Sequence, residues 1–154
     1  MCIRDSTYTE GVSSDLLRVE ELYDEQYVLL VPDRHWQAKD TEISWAAAAE
    51  LPLILLEPDM QNRRILDNIF DEAGAHPSVV AETNGLMAAI AMALEGMGAT
   101  VLPRVLVDAI GVFQGATLLP LIEPAVEKSV SLVTPLRAQS IPVVDALRRS
   151  VMKL

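Results

Sequence analysis

The sequence predicts an α/β fold with a mostly parallel sheet, because short apolar runs alternate with helical segments at regular spacing. Hydrophobic residues make up 51% of the 154 residues but aromatic residues only 5%. The core must therefore be aliphatic, which suits a sheet covered by helices. The runs YVLLV at 27–31 and LILL at 53–56 are continuous and apolar, as is typical of buried strands. Alternation of this kind favours parallel strands joined by right-handed crossovers.

The elements are predicted in chain order from these patterns. Strands are expected at 16–22, 27–31, 53–56, 79–82, 100–102, 118–121 and 130–133. Helices are expected at 45–50, 61–73, 85–96, 104–110 and 141–152. Ser44 is the expected N-cap of the first helix, and Asn84 can cap the third. In the helix 61–73 the apolar side chains share one face, which predicts that Arg63 lies on the opposite, polar face.

The helix 85–96 is apolar on nearly all sides, with one charge at Glu95. Such a helix needs cover on more than one face. The favoured interpretation is a helix packed between the sheet and neighbouring elements, and the alternative is a contact between subunits.

The order of the elements predicts two lobes. Extended segments at 16–32 and 127–135 lead into and out of the compact α/β segment 53–121. Residues 11–32 are therefore interpreted as a part of lobe one with a hinge strand, and residues 122–154 as its return strand and C-terminal helix. Residues 33–121 are interpreted as lobe two. Residues 1–10 show no hydrophobic period and are expected to be a leader or disordered.

The charge distribution argues against a nucleic-acid surface. The formal net charge is −10, and residues 1–60 carry 4 basic and 13 acidic side chains, a net of −9. Residues 61–154 carry 8 basic and 9 acidic side chains, a net of −1, so no basic stripe forms. No apolar run reaches membrane-spanning length and no signal peptide opens the chain, so a cytoplasmic protein is expected.

Catalytic and metal-binding constellations are not apparent. Cys2 is the single cysteine, and His35 and His76 have no partner at ligand spacing. No Ser/His/Asp or Cys/His set can be built from them. We therefore expect no enzyme activity, no metal and no cofactor.

The segment 82–103, ETNGLMAAIAMALEGMGATVLP, carries the motif GMGATVLP at 96–103. Together with ELYDEQYVLLVPDRHWQA at 21–38, LPLILLE at 51–57 and ILDNIFDEAGAHPSVVAE at 65–82, it resembles the effector-binding domain of LysR-type bacterial transcription regulators. The resemblance covers roughly residues 16–154. One departure is Trp36, which replaces the usual proline of a loop.

The resemblance implies a type II periplasmic-binding-protein-like fold, with one lobe complete and the other partial. A small metabolite would bind as effector between the lobes. A homodimer or tetramer is implied, with helix 61–73 and strand 79–82 at a dimer face. DNA would be bound only through an N-terminal domain that this chain does not contain, and no membrane is involved.

Ligands of open α/β sheets bind where strands end and helices begin. Three such corners are expected in lobe two. Their candidate ligand-binding residues are Met60, Gln61 and Asn62 at the first corner, Thr83 and Asn84 at the second, and Pro103 and Arg104 at the third. The resemblance places a ligand-contacting position near Thr83.

Other interpretations of these residues stay open. Asn84 is more often an N-cap, and Arg104 can be a solvated residue at a helix start. Gly96 and Gly98 are interpreted as backbone requirements at a helix end and at a tight start of a strand, since GMG follows a helix and lacks the pattern of a phosphate loop.

Two competing functions remain. A solute-binding protein can share the fold, although no secretion signal is present. Enzymes with this fold include prephenate dehydratases and porphobilinogen-polymerising deaminases. The Thr-Arg-Phe motif of the former is absent, and so is the internal cofactor-bearing cysteine of the latter.

Overall fold

The computed structural model describes residues 5–8, 17–35, 41–111, 113–124, 126, 128–135, 146 and 150. The chain divides into two compact units. Unit 1 comprises residues 1–25 and 127–154, and unit 2 comprises residues 26–126. The predicted helix 141–152 lies mostly outside the described residues. Within that range only Ala146 and Ser150 are described, and both are helical.

Unit 1 contains a three-stranded antiparallel sheet in the order β1–β9–β2. Its strands are β1 (Asp5–Tyr8), β2 (Leu17–Glu25) and β9 (Lys128–Pro135). Strand β1 falls in the segment 1–10, for which the sequence predicted no strand. It is paired along its whole length, from Asp5 opposite Val133 to Tyr8 opposite Val130. The division of the chain into a leader and two lobes at the expected boundaries stays a prediction.

Unit 2 is a six-stranded sheet with helices on both faces. Its elements are β3 (Tyr27–Pro32), β4 (Ile43–Ser44), α1 (Trp45–Ala49), β5 (Pro52–Leu56), α2 (Gln61–Glu72), β6 (Ser78–Thr83), α3 (Leu86–Leu94), β7 (Ala99–Pro103), α4 (Arg104–Ile110) and β8 (Ala116–Ile122). A 3-10 turn covers Asp33–His35. The strand order is β4–β8–β3–β7–β5–β6. Since β3 is antiparallel to both neighbours and the other pairings are parallel, five strands run one way and β3 runs against them. The predicted α/β class with a mostly parallel sheet is confirmed.

The sheet of unit 2 has two apolar faces, because alternate side chains of its buried strands point in opposite directions. On one face a cluster packs under α3 and α4; its buried members are Val28, Leu30, Ile54, Ala89, Ile90, Ala93, Leu102 and Val107. The other face carries α1 and α2. There the Trp45 ring meets Tyr27 edge-on at 6.0 Å and Phe70 edge-on at 5.2 Å between ring centroids. Tyr27, Trp45 and Phe70 are the buried aromatic residues of the described part of the chain, and they meet at one point of an otherwise aliphatic core.

The helix α3 is covered on one side. Ala89, Ile90 and Ala93 are buried, whereas Met87 is 62% exposed and Leu94 is 40% exposed. The expectation that α3 packs between the sheet and other elements is therefore wrong for this chain by itself. Apolar propensity alone does not tell which side of a helix is covered. The alternative, a contact between subunits, stays a prediction.

The two glycines of the motif GMGATVLP have the backbone roles that the sequence indicated. Gly96 follows α3 with φ +75°, a conformation that disfavours other residues. A Cβ there would overlap the guanidinium of Arg34, which donates a hydrogen bond to the carbonyl of Glu95. At Gly98 a Cβ would lie 2.5 Å from the carbonyl oxygen of Pro52. The absence of a side chain thus lets the chain entering β7 pass against β5.

Replacing Phe70 by alanine is expected to lower the free energy of unfolding by about 4 kcal/mol, because the ring is fully buried and packs on Trp45. Urea unfolding followed by tryptophan fluorescence measures this loss. The exposed helical residue Met87 provides the control, since Met87→Ala should change stability by less than about 0.5 kcal/mol. Equal effects of the two substitutions would contradict the described core.

Gly98→Ala is expected to destabilise unit 2 by about 2 kcal/mol, because the added methyl group collides with backbone rather than with a movable side chain. At Gly85 a Cβ meets nothing within 4 Å, so Gly85→Ala should stay within about 0.5 kcal/mol of the wild type. Thermal melts of the two variants give the comparison. A Gly98→Ala variant as stable as Gly85→Ala would show that the close approach to Pro52 is not required.

Candidate functional site

The three predicted corners lie at one edge of the sheet of unit 2. Strands β5, β6 and β7 are parallel, so their carboxyl ends reach the same edge. Leu56 at the end of β5 is in register with Thr83 at the end of β6. The backbone N–H of Glu57 donates to the carbonyl of Thr83 at 3.0 Å. The first and second corners are therefore joined directly to each other.

Four helices begin at this edge, since each of α1 to α4 follows a strand that ends there. The start of α1 has a side-chain cap, because Oγ of the N-cap residue Ser44 accepts a hydrogen bond from the N–H of Ala47 at 3.1 Å. The N-caps of α2, α3 and α4 are Met60, Gly85 and Pro103, and none makes a side-chain cap. The edge thus presents helix starts whose dipoles are not matched by a cap side chain.

The expectation that Asn84 caps α3 is wrong. The N-cap is Gly85, whose φ of −159° and ψ of 138° keep the chain extended for one residue more than the pattern indicated. An N-cap side chain reaches the N–H groups two or three positions further along, so Asn84 lies one residue too early. Asn84 is exposed instead.

The remaining candidate residues differ in exposure. Met60, Asn62 and Thr83 are half-buried, and Gln61 is exposed. Pro103 is buried and closes β7. The structure brings the candidates of all three corners to one edge, and their role in binding a ligand stays a prediction.

Arg63 is a residue whose position at this edge the sequence did not indicate. It was expected on the polar face of α2, but it is only 9% exposed. Its Nη1 donates to the carbonyl of Leu56 at 2.6 Å and to Glu82 Oε1 at 2.8 Å, and its Nε donates to Asp67 Oδ1 at 2.8 Å. The sequence did contain a signal for one of these contacts, because Arg63 and Asp67 are four residues apart and such pairs meet on a helix. The pairing with Glu82 is long-range and leaves no local pattern.

The electrostatics of Arg63 keep its charge fixed. Burial alone lowers the pKa of this guanidinium, but hydrogen bonds to Glu82 and Asp67, and the charges of both, outweigh that effect. The net pKa of Arg63 is raised above its ordinary value. A permanently charged side chain therefore connects the end of β5, the end of β6 and the first turns of α2.

The third corner is held differently. The backbone N–H of Arg104 donates to the carbonyl of Gln26 at 2.7 Å, which fixes the start of α4 to the start of β3. The Nε of Arg104 lies 3.0 Å from Asp108 Oδ1, and the two side chains are 50% and 60% exposed. An ion pair this exposed contributes little to stability, so both groups can change partner at small cost.

In the described part of the chain, no three His, Cys, Asp or Glu side chains lie close enough together to hold a metal ion. Within the same residues no helix is long and apolar enough to span a membrane.

Arg63→Met is expected to lower the free energy of unfolding by about 2 kcal/mol, because it removes the charged donor of a hydrogen bond to the buried carbonyl of Leu56. The loss is kept moderate because Asp67 and Glu82 are 40% and 43% exposed and remain solvated. Hydrogen exchange should accelerate at residues 57–62 and 83–84. The neighbouring Arg64 is exposed, and Arg64→Met should leave stability and exchange unchanged. An Arg63→Met variant that behaves like Arg64→Met would contradict the bridging role.

Comparisons with known proteins agree with this fold. A scan against protein families matches residues 6–153 to the LysR substrate binding domain. A search of curated proteins gave no match. Three similar solved structures illustrate the fold. The effector binding domain of QuiR in complex with shikimate is 18% identical, with a TM-score of 0.77 over 96% of this chain and 68% of that one.

The other two structures are similar to the same degree. The regulatory domain of CcmR from Synechocystis PCC6803 in complex with 2-PG is 17% identical, with a TM-score of 0.77 over 99% of this chain and 71% of that one. HinK, a LysR family transcriptional regulator from Pseudomonas aeruginosa, is 21% identical, with a TM-score of 0.77 over 96% of this chain and 50% of that one.

The chain thus spans about half the length of HinK. The fold is the type II periplasmic-binding-protein-like fold, as the resemblance implied. Since the family match extends over nearly all of its residues, the chain belongs to the LysR substrate binding domain family.

Proposed function

We propose that this chain senses a small-molecule effector for a LysR-type transcription regulator. The observation that carries the proposal is the match to the LysR substrate binding domain over residues 6–153. The similar domains of QuiR and CcmR were solved with shikimate and with 2-PG, which supports a small molecule as the ligand here. DNA binding would reside in another part of the whole regulator, in keeping with the net charge of −10. A regulator of this kind acts in the cytoplasm, where bacterial DNA is found, and has no catalytic task.

The proposed effector site is the carboxyl edge of the sheet in unit 2. The helices α2 and α3 begin there without a side-chain cap, so their first N–H groups and their dipoles favour an electronegative group of a ligand. Thr83 and Gln61 add side-chain hydrogen bonds, Met60 adds an apolar contact, and Asn62 and Asn84 complete the two corners. Pro103 and Arg104 extend the site toward β7.

The arrangement of these corners supports the binding of a ligand. Arg63 and the bond from Glu57 to Thr83 make the first two corners one rigid piece. A ligand that binds both corners then meets preformed donors and loses little affinity to ordering them.

A second copy of the chain is the proposed partner, at the face formed by α2 and β6. Strand β6 is the last strand of the sheet, and Val79 and Val80 are 36% and 52% exposed. An exposed apolar strand at the edge of a sheet is a favourable place for a partner chain to bind. A homodimer or tetramer of the whole regulator would cover this strand.

A solute-binding protein of the same fold is the alternative function. The family match favours the regulator, since the matched family is that of LysR proteins.

The purified chain is expected to bind an effector with a saturable rise in melting temperature when it is screened against organic acids, aromatic carboxylates and amino acids. Binding at one hundred times Kd would add about 2.7 kcal/mol of stability. The variant Thr83→Val removes a hydroxyl at the proposed site and should weaken binding about tenfold. The isosteric control is Thr134→Val in β9 of unit 1, which should leave the affinity unchanged.

Two outcomes would contradict the proposal in different ways. A cooperative melt that no compound shifts would mean that the chain does not bind an effector by itself. A ligand that binds both threonine variants equally would mean that the second corner is not part of its site.

A further inference from the structure

The strand β8 has two apolar faces that are covered unequally. Leu119 and Leu121 point to one face and are 1% and 9% exposed. Ala116 and Leu118 point to the other face and are half-buried, and Pro120 on the same face is exposed. Strands that are apolar on both faces normally lie between two covering layers. Within the described residues, the α4 side of β8 is therefore only partly covered.

A cavity of about 480 Å³ occupies this place. Val28 and Val107, both buried, line it together with Phe113 and Leu118, which are half-buried. Gly111 lies at the end of α4 and adds no side chain to the wall. Binding sites for small molecules usually have volumes of about 300–1,000 Å³ and mostly apolar walls, so the volume of this cavity lies in the lower half of that range.

Among the described lining residues, the charged side chains are one cation and one anion. Arg104 and Asp108 both line it, on successive turns of α4. Their contact joins Arg104 Nε and Asp108 Oδ1 at 3.0 Å, so Nη1, Nη2 and Oδ2 take no part in it. A ligand with a single charge would be attracted by one of these groups and repelled by the other. A ligand with both charges on neighbouring atoms is attracted by both.

We infer that the cavity between α4 and β8 binds an amino acid with an apolar side chain. The ligand carboxylate would accept hydrogen bonds from the terminal nitrogens of Arg104, and its ammonium group would donate to Asp108 Oδ2. Its side chain would cover Phe113 and Leu118. The inference goes beyond the proposed effector site. The cavity shares Arg104 with the third corner, but its apolar walls come from β3, α4, β8 and Phe113 rather than from the first two corners.

Three ligands that share a phenyl ring and chain length test the charge pattern by isothermal titration calorimetry of the whole chain. These are phenylalanine with both charges, 3-phenylpropionate with the carboxylate alone, and 2-phenylethylamine with the ammonium group alone. Phenylalanine is expected to bind about tenfold more tightly than either analogue, because each analogue loses one charge-assisted hydrogen bond.

Two substitutions at the exposed pair separate the roles. Arg104→Met should weaken the binding of phenylalanine and 3-phenylpropionate about tenfold and leave the affinity for 2-phenylethylamine unchanged. Asp108→Asn should weaken the binding of phenylalanine and 2-phenylethylamine and leave the affinity for 3-phenylpropionate unchanged. The control is Arg18→Met, an exposed arginine of β2, which should change none of the affinities.

Ala116→Trp tests the place of binding, since it fills the cavity without altering either charge. It should abolish phenylalanine binding. A compound from the melting screen whose affinity falls in Thr83→Val should still bind to Ala116→Trp, and this difference distinguishes the two sites. If Ala116→Trp unfolds the protein, the substitutions Arg104→Met and Asp108→Asn at exposed side chains still test whether phenylalanine binds in the cavity. The inference is overturned if phenylalanine does not bind, if 3-phenylpropionate binds as tightly as phenylalanine, or if both exposed variants bind phenylalanine like the wild type.

Discussion

Unit 2 is built around β3, the strand that runs against the other five and lies between β8 and β7. All six of its side chains are buried, and Leu29, Leu30 and Val31 are fully so. It is hydrogen-bonded on both sides, through Tyr27 to Leu30 with β7 and through Val28 to Pro32 with β8. Because β3 is reversed, its first residue lies at the edge where the other strands end. Gln26, just before it, therefore meets the start of α4.

This reversal also fixes where unit 2 begins and ends. The chain enters unit 2 at Gln26 and leaves it after β8, whose carboxyl end lies at the same edge because β8 is parallel to β7. The first and the last strand of unit 2 therefore both open onto the edge that carries the candidate residues.

The sequence was informative wherever burial sets the pattern. Each strand of four or more residues in unit 2 was predicted within two residues at either end, since continuous aliphatic runs are typical of strands covered on both faces. Strand β1 was missed because its residues DSTY are polar, and backbone pairing with β9 rather than an apolar face defines it. Arg63 was misplaced for a related reason. Helical periodicity assigns a charged residue to the solvent face, and only the fold brings Glu82 and the carbonyl of Leu56 to it.

The location of the candidate site was predictable, but the detail at each corner was not. Parallel strands must end at a common edge, so the corners at 60–62, 83–84 and 103–104 follow from the topology alone. Whether Asn84 or Gly85 caps α3 depends on one residue of extended backbone, which no side-chain pattern encodes. The exposure of Met87 and Leu94 likewise depends on which elements pack on α3, not on its composition.

The corners differ in how firmly they are held, and this difference fits two kinds of task. The first two share a buried cation with a raised pKa and a direct backbone bond, so they resist change and present donors in fixed places. The third is held by the backbone of Gln26, while its side-chain pair with Asp108 is half exposed and free to exchange partners. In the proposed effector site a rigid pair of corners would select a ligand by shape, and in the proposed cavity a loosely paired Arg104 would adjust to the charge of the occupant. The same edge of one sheet thus combines fixed hydrogen-bond donors with an adaptable charge pair. The difference arises because Arg63 is buried against the ends of β5 and β6, whereas the side chain of Arg104 is half exposed to solvent.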